Sequence, residues 1–200
     1  IKKIGSYVIE FIDEKDSTLA KMFENVISYP GDEQLKFFLV ADYLMHKNGE
    51  FSDYEEYYTQ LKKHLAKDLV EIEKSADKFG EEFAENHRHD QMQYYIGAGN
   101  QWGSTYSYAM CYVEEQHWLR SKSITAAEFF HGTLEIIDEN TSVILFMGED
   151  TERPLAERVK NFLPKVCGNY TIIDSKDYPL EGIDEKYRGN LSHLVTHCVT

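Results

Sequence analysis

Between Asp53 and Ala84 apolar residues recur every three or four positions, and charged residues fill the gaps between them. Tyr54, Tyr57, Tyr58, Leu61, Leu65, Leu69, Ile72, Ala76, Phe79 and Phe83 trace one buried face. The pattern predicts one long amphipathic helix, opened by a capping box of Ser52 and Glu55. A helix of this kind acts as a connector between two halves or as a surface for a second subunit. Upstream the period shortens. Tyr7 to Ile12 predicts a strand, Asp13 to Ser17 a turn, and Ser17 a cap for a short helix over Thr18 to Met22. Glu24 to Tyr29 predicts a second strand, closed by Pro30-Gly31. Leu35, Phe38, Leu39 and Met45 mark a helix from Glu33 to Met45. Strand, short helix and strand in that order suggest one edge of a parallel sheet.

Beyond the long helix, strands and helices alternate. Met92 to Ile96 predicts a strand, residues 97–103 a glycine-rich turn, and Ser104 to Leu119 a helix. Val143 to Met147 predicts an apolar strand, Pro154 to Leu163 a helix with proline in its first turn, and Tyr170 to Ile173 a further strand. Leu191 to Val199 predicts a last helix. This alternation predicts an α/β fold with a doubly wound parallel sheet, whose ligands sit at the carboxyl ends of the strands.

Composition narrows the functional classes. The chain has 200 residues, 42% of them hydrophobic and 14% aromatic, which is globular and large enough for one or two domains. A formal net charge of -14 excludes duplex nucleic acid and an anionic membrane as expected partners, since both need clustered Lys and Arg. Cys111, Cys167 and Cys198 are odd in number and widely spaced, which suits a reducing compartment and a cytoplasmic location. No run of apolar residues reaches membrane-span length, and no signal peptide is recognisable. The chain opens at Ile1 without an initiating methionine, which predicts a piece of a longer protein.

Three constellations could carry chemistry. The first is Gly97-Ala98-Gly99-Asn100-Gln101-Trp102-Gly103, where backbone N–H groups at a helix start favour an anion or a sugar hydroxyl. Trp102 stands where a dinucleotide fingerprint needs glycine or alanine, so a nicotinamide cofactor is not expected. The second is Glu115. On an α-helix it shares a face with Tyr108, Cys111, Tyr112, Trp118 and Leu119. A carboxylate among these is expected to be desolvated, with a raised pKa, and able to exchange protons near neutrality. A bland alternative pairs it with Arg120 or Lys122. The third is His131 with Glu128 and Glu135, which share one face if the segment is helical. A histidine held by a carboxylate serves as acid or base near neutral pH. His193 and His197 have the i, i+4 spacing of a zinc helix, but Leu194 stands where a metalloprotease has its glutamate. His87 and His89 are read as favouring a helix C-terminus, and no metal is expected in either place.

Glu128-Phe129-Phe130-His131-Gly132-Thr133-Leu134-Glu135 resembles the Glu-x-x-His-Gly-Pro-Leu/Phe-Glu signature of the sugar isomerase (SIS) family, with Thr133 in place of proline. Gly97-Ala98-Gly99 and the segment from Cys111 to Trp118 fall in that family's order, and Asp16 to Lys21 resembles its Asp-Ser-Pro-Leu-Ala segment, with Thr18 in place of proline. The combination is similar to the branch that holds fructosamine, glucoselysine and fructose-asparagine phosphate deglycases. This resemblance implies a flavodoxin-like SIS domain over 91–200, a connecting helix over 48–90 and the end of a first SIS domain over 1–47. It implies a homodimer or larger assembly acting on a phosphorylated sugar-amine, with no cofactor. Glu115 and His131 then fall on the acid–base pair, and Gly97, Gly99, Asn100 and Glu128 on the substrate site. In related isomerase domains the histidine segment serves a site in the neighbouring subunit. The family's Ser/Thr-rich phosphate loop is not within these residues. The same residues also fit an aldose–ketose isomerase of the glucosamine-6-phosphate synthase type, or a non-catalytic phosphosugar-binding module.

Overall fold

The computed structural model describes residues 5, 7–28 and 33–200. Ile1, Tyr29 and the Pro30-Gly31 turn lie outside the described residues. The chain divides into two compact units, Ile1–Glu56 and Tyr57–Thr200. In the first unit, β1 (Glu10–Phe11) pairs in parallel with β2 (Val26–Ile27). A short 3-10 turn between them, Ala20–Met22, takes a bond from the Ala20 N–H to Ser17 Oγ at 3.1 Å, as its sequence predicts. Helix α1 spans Glu33–Lys47. Its Lys36 is buried and bonds Asp13 Oδ1 at 2.5 Å, which compensates the burial of the ammonium.

Helix α2 (Tyr54–Gln60) passes into a π-helical turn at Leu61–Leu65 and on into α3 (Ala66–His87). This is the long helix of the apolar repeat. It has one extra residue per turn at Leu61–Leu65, which the repeat did not reveal. The expected capping box is not formed: the Ser52 hydroxyl donates to Asp53 instead.

The second unit is built on a four-stranded, all-parallel sheet in the order β4-β3-β5-β6. Its strands are β3 (Met92–Gly97), β4 (Arg120–Thr125), β5 (Ser142–Met147) and β6 (Tyr170–Asp174). β5 is buried along its whole length, as its unbroken apolar run requires in a sheet covered on both faces. β4 was not foreseen. It is an edge strand in which Ile124 alone is buried, so Arg120-Ser121-Lys122-Ser123 carries no apolar signal. Around the sheet lie α4 (Gln101–Ser107), α5 (Ala126–Phe129), α6 (Arg153–Phe162) and α7 (Glu185–Val199). α7 starts six residues before its expected first residue. Gln60 holds that start: its side chain accepts from the Asp184 N–H at 2.8 Å and donates to the Asp184 carboxylate at 3.0 Å. Phe129, Val143, Leu145, Met147, Val159 and Leu163 form the centre of the core. No helix among the described residues is long and apolar enough to cross a membrane.

Candidate active site

In this strand order β3 connects to β4 on one side and β5 lies on the other, so the topological switch point falls between the carboxyl ends of β3 and β5. The glycine turn is there, as expected, and one of its N–H groups bonds a carboxylate of the chain itself. Asp150, in the loop after β5, takes the Asn100 N–H on Oδ2 at 2.8 Å and the Glu152 N–H on Oδ1 at 2.8 Å. Gly99 has φ +54, and a Cβ there would overlap the Asp150 carboxylate. The Asn100 side chain is committed as well, donating to the Gly189 carbonyl of α7 at 3.0 Å. Gly97 lacks a Cβ because Thr105 packs on it. Within this unit, then, Gly97, Gly99 and Asn100 seat a carboxylate of the chain itself.

Glu115 lies at the end of the helix that follows. After Ser107 this helix turns π-helical over Tyr108–Glu114, and the Glu115 N–H reaches back five residues to Met110 O at 3.0 Å. The wider turn advances the phase, so Ala109 and Val113 face inward and Glu115 is exposed. The expected burial of Glu115 is therefore corrected for this chain on its own. Neither Arg120 nor Lys122 bonds it. Its neighbour Glu114 accepts from Ser121 Oγ at 3.0 Å. The turn closes at Trp118, which has φ +55 and is 87% exposed.

The His131 segment is not one helix. α5 ends at Phe129, the His131 N–H bonds Glu128 O at 2.9 Å, and a 3-10 turn follows at Thr133–Ile136. Thr125 caps α5, accepting from the Glu128 N–H at 3.2 Å. The shared helical face of Glu128, His131 and Glu135 is corrected accordingly. His131 and Glu128 still line one surface cavity, of about 540 Å³, with Trp102, Lys122, Thr125 and Ile136. Neither Glu115 nor Glu135 lines that cavity. A separate and more enclosed cavity of about 560 Å³ lies among α3, the π segment and α7 and is walled by Phe79, Phe83, Tyr108, Val113 and His117. It holds neither Glu115 nor His131.

Of the other histidines, His87 serves the fold. His87 is buried and bonds Asp90 at 2.7 Å, Ser142 at 3.1 Å and Thr171 at 2.9 Å. It ties the end of α3 to β5 and β6, a role the sequence reading did not assign to it. His193 is buried, with its ring 6.2 Å from that of His197, which approaches Ser104 Oγ at 3.4 Å. No group of three metal-ligating side chains occurs among the described residues.

No family model matches the chain. It is 32% identical over 206 residues to the fructosamine deglycase of Bacillus subtilis, a match covering 98% of this chain and 62% of that one. A solved structure described as a candidate phosphosugar isomerase from the same organism superposes with a TM-score of 0.77 at 30% identity, covering 96% of this chain and 60% of the other. The chain has the sugar isomerase (SIS) fold. A fructoselysine 6-phosphate deglycase of Escherichia coli is 27% identical over 112 residues, 56% of this SIS chain and 33% of the relative. A second candidate phosphosugar isomerase structure, from Salmonella typhimurium, has the same fold, with a TM-score of 0.89 at 20% identity, covering 99% of this chain and 64% of that one. The SIS chain described here thus spans about three-fifths of the Bacillus relatives' length.

Proposed function

We propose that the protein carrying this chain is a deglycase that splits a 6-phosphorylated fructosamine or glucosamine, such as fructoselysine or glucoselysine 6-phosphate, into a hexose 6-phosphate and a free amine. The likeness to the fructosamine and fructoselysine 6-phosphate deglycases supports this reading. The observation that carries it is the exposure of Glu115 together with the cavity at His131 and Glu128. An acid–base pair must reach the reacting carbons, and both groups face solvent.

For a ketosamine, Glu115 takes a proton from C1 and returns it to C2, while His131 protonates the O2 oxygen and then takes the proton that the amine nitrogen loses. The enol so formed becomes an imine between C1 and nitrogen. Water adds to C1, the C1–N bond breaks, and the amine leaves with a proton. For a glucosamine the proton shift runs from C2 to C1. Because Glu115 does not line the His131 cavity, one copy contributes Glu115 and a second copy contributes His131 to each site. Glu128, beside His131, orients the imidazole or the nitrogen of the substrate.

Glu115→Gln in the protein should lower turnover of fructoselysine 6-phosphate by about 10² to 10⁴, the usual worth of a proton shuttle. Its circular dichroism and melting temperature should match those of the parent, because the side chain is exposed. Unchanged turnover would remove Glu115 from the mechanism. Interconversion of glucose 6-phosphate and fructose 6-phosphate without release of lysine from fructoselysine 6-phosphate would make the protein an isomerase instead.

A further inference from the structure

Trp118 is held in a conformation that non-glycine residues rarely adopt. Its φ is +55, in the left-handed region where a Cβ crowds the following carbonyl. Trp118 is one of the chain's two tryptophans, and among the described residues it alone has positive φ without being glycine. The fold needs a residue there to end the π-helical segment. The Trp118 N–H bonds Glu114 O at 3.2 Å and the Leu119 N–H bonds Val113 O at 3.2 Å. Glycine would make both bonds without strain. The indole returns nothing to this unit, since it is 87% exposed and carries no ring contact or hydrogen bond among the described residues. An outlier that stabilises nothing locally is grounds for a functional assignment.

Its surroundings indicate what kind. Trp118 and Glu115 belong to the same closing turn, three residues apart, and both face solvent. The alternating side chains of that turn, His117 and Leu119, go the other way, into the apolar cavity behind it. Tyr106, Met110 and Tyr112 on the preceding helical segments are exposed as well. A pyranose or open-chain hexose offers a face of C–H groups between its hydroxyls, and that face is complementary to an indole plane. A carboxylate that must abstract a proton from a sugar carbon also needs that carbon held still against it.

We propose that Trp118 is a substrate-contacting residue, an indole platform on which the carbon chain of the phosphosugar rests while Glu115 acts on it. This rests on the deglycase reading for the identity of the sugar, but not for the contact itself. The left-handed backbone closes the turn that carries both residues, and both side chains are exposed there.

The test uses the protein in three forms: Trp118→Gly, Trp118→Phe, and a Trp102→Phe form in which Trp118 is the sole indole of this chain. Trp118→Gly should raise KM for fructoselysine 6-phosphate about tenfold or more with a smaller fall in kcat, and Trp118→Phe should recover most of that loss. The melting temperature of Trp118→Gly should equal or exceed that of the parent, because the strain is gone. In the Trp102→Phe form, fluorescence from Trp118 should shift on adding fructoselysine 6-phosphate or glucose 6-phosphate. Parental KM in Trp118→Gly would overturn the assignment and leave the deglycase reading intact. A fluorescence shift with no amine released by any form would uphold the platform and defeat the deglycase reading.

Discussion

Asp68 on α3 is 4% exposed, and its Oδ2 has no hydrogen-bond partner. Burial pushes its carboxyl above the ordinary aspartate range, and Glu181 pushes the same way, against the pull of His64 and Lys67. The sign of the consequence follows from linkage. A carboxyl whose native pKa exceeds its unfolded value binds its proton more tightly when folded. Its contribution is complete below the unfolded value, near pH 4, and is lost as pH rises through the native one. Asp68→Asn should therefore raise the stability of the protein at pH 7, by about 1 kcal/mol. The gain should shrink toward zero in melts at pH 4. An equal gain at both pH values would show that the carboxyl does not titrate in this range.

At the scale of elements, the join between α3 and the amino ends of β3, β5 and β6 is polar and buried. Asp90 accepts from Gln93 at 3.2 Å and pairs with His87, and Tyr95 donates to Gln93 at 2.6 Å. Burial alone would raise the Asp90 carboxyl, but bonds from Ser142, His87 and Gln93 outweigh it and hold the carboxyl below its usual range. That contribution is present above the unfolded pKa and disappears as pH falls through the native one. His87→Ala leaves Asp90, Ser142 and Thr171 short of a partner and should cost about 2–4 kcal/mol. Urea unfolding should show this as a lower midpoint at constant slope. A midpoint within error of the parent would mean that water replaces the ring.

These joins explain what the sequence could and could not tell. β5 was legible because six buried residues in a row need no alternation, and α3 because its stripe is long. β4 was not, since a sheet edge tolerates Arg120 and Lys122 and hides only Ile124. The position of Glu115 was legible and its environment was not, because an extra residue in the π turn changes which side faces inward. His131 was singled out through its signature, and the cavity it lines with Lys122 and Trp102 joins residues from three elements that no local spacing connects. Asp150 could have been suspected, as a carboxylate three residues past the end of an apolar strand, the position where such folds bind ligands.

On the scale of the whole molecule, the separation of Glu115 from the His131 cavity has a consequence for mixtures. Glu115→Gln and His131→Ala proteins should each be nearly inactive. Mixed under conditions that let subunits exchange, half the dimers become hybrids, and each hybrid has one intact site out of two. Activity should then recover to about a quarter of the parent's. Absence of recovery, with exchange shown by mass, would place both groups in a site made by one chain.

The Asp150 carboxylate bears on the same question from the opposite direction. A side chain tethered within reach of its own binding loop competes at an effective concentration in the millimolar range or above, and dialysis cannot remove it. In the loop after β3 that competitor sits on the Asn100 N–H. Any free anion that reaches the Asn100 N–H must first displace this tethered carboxylate.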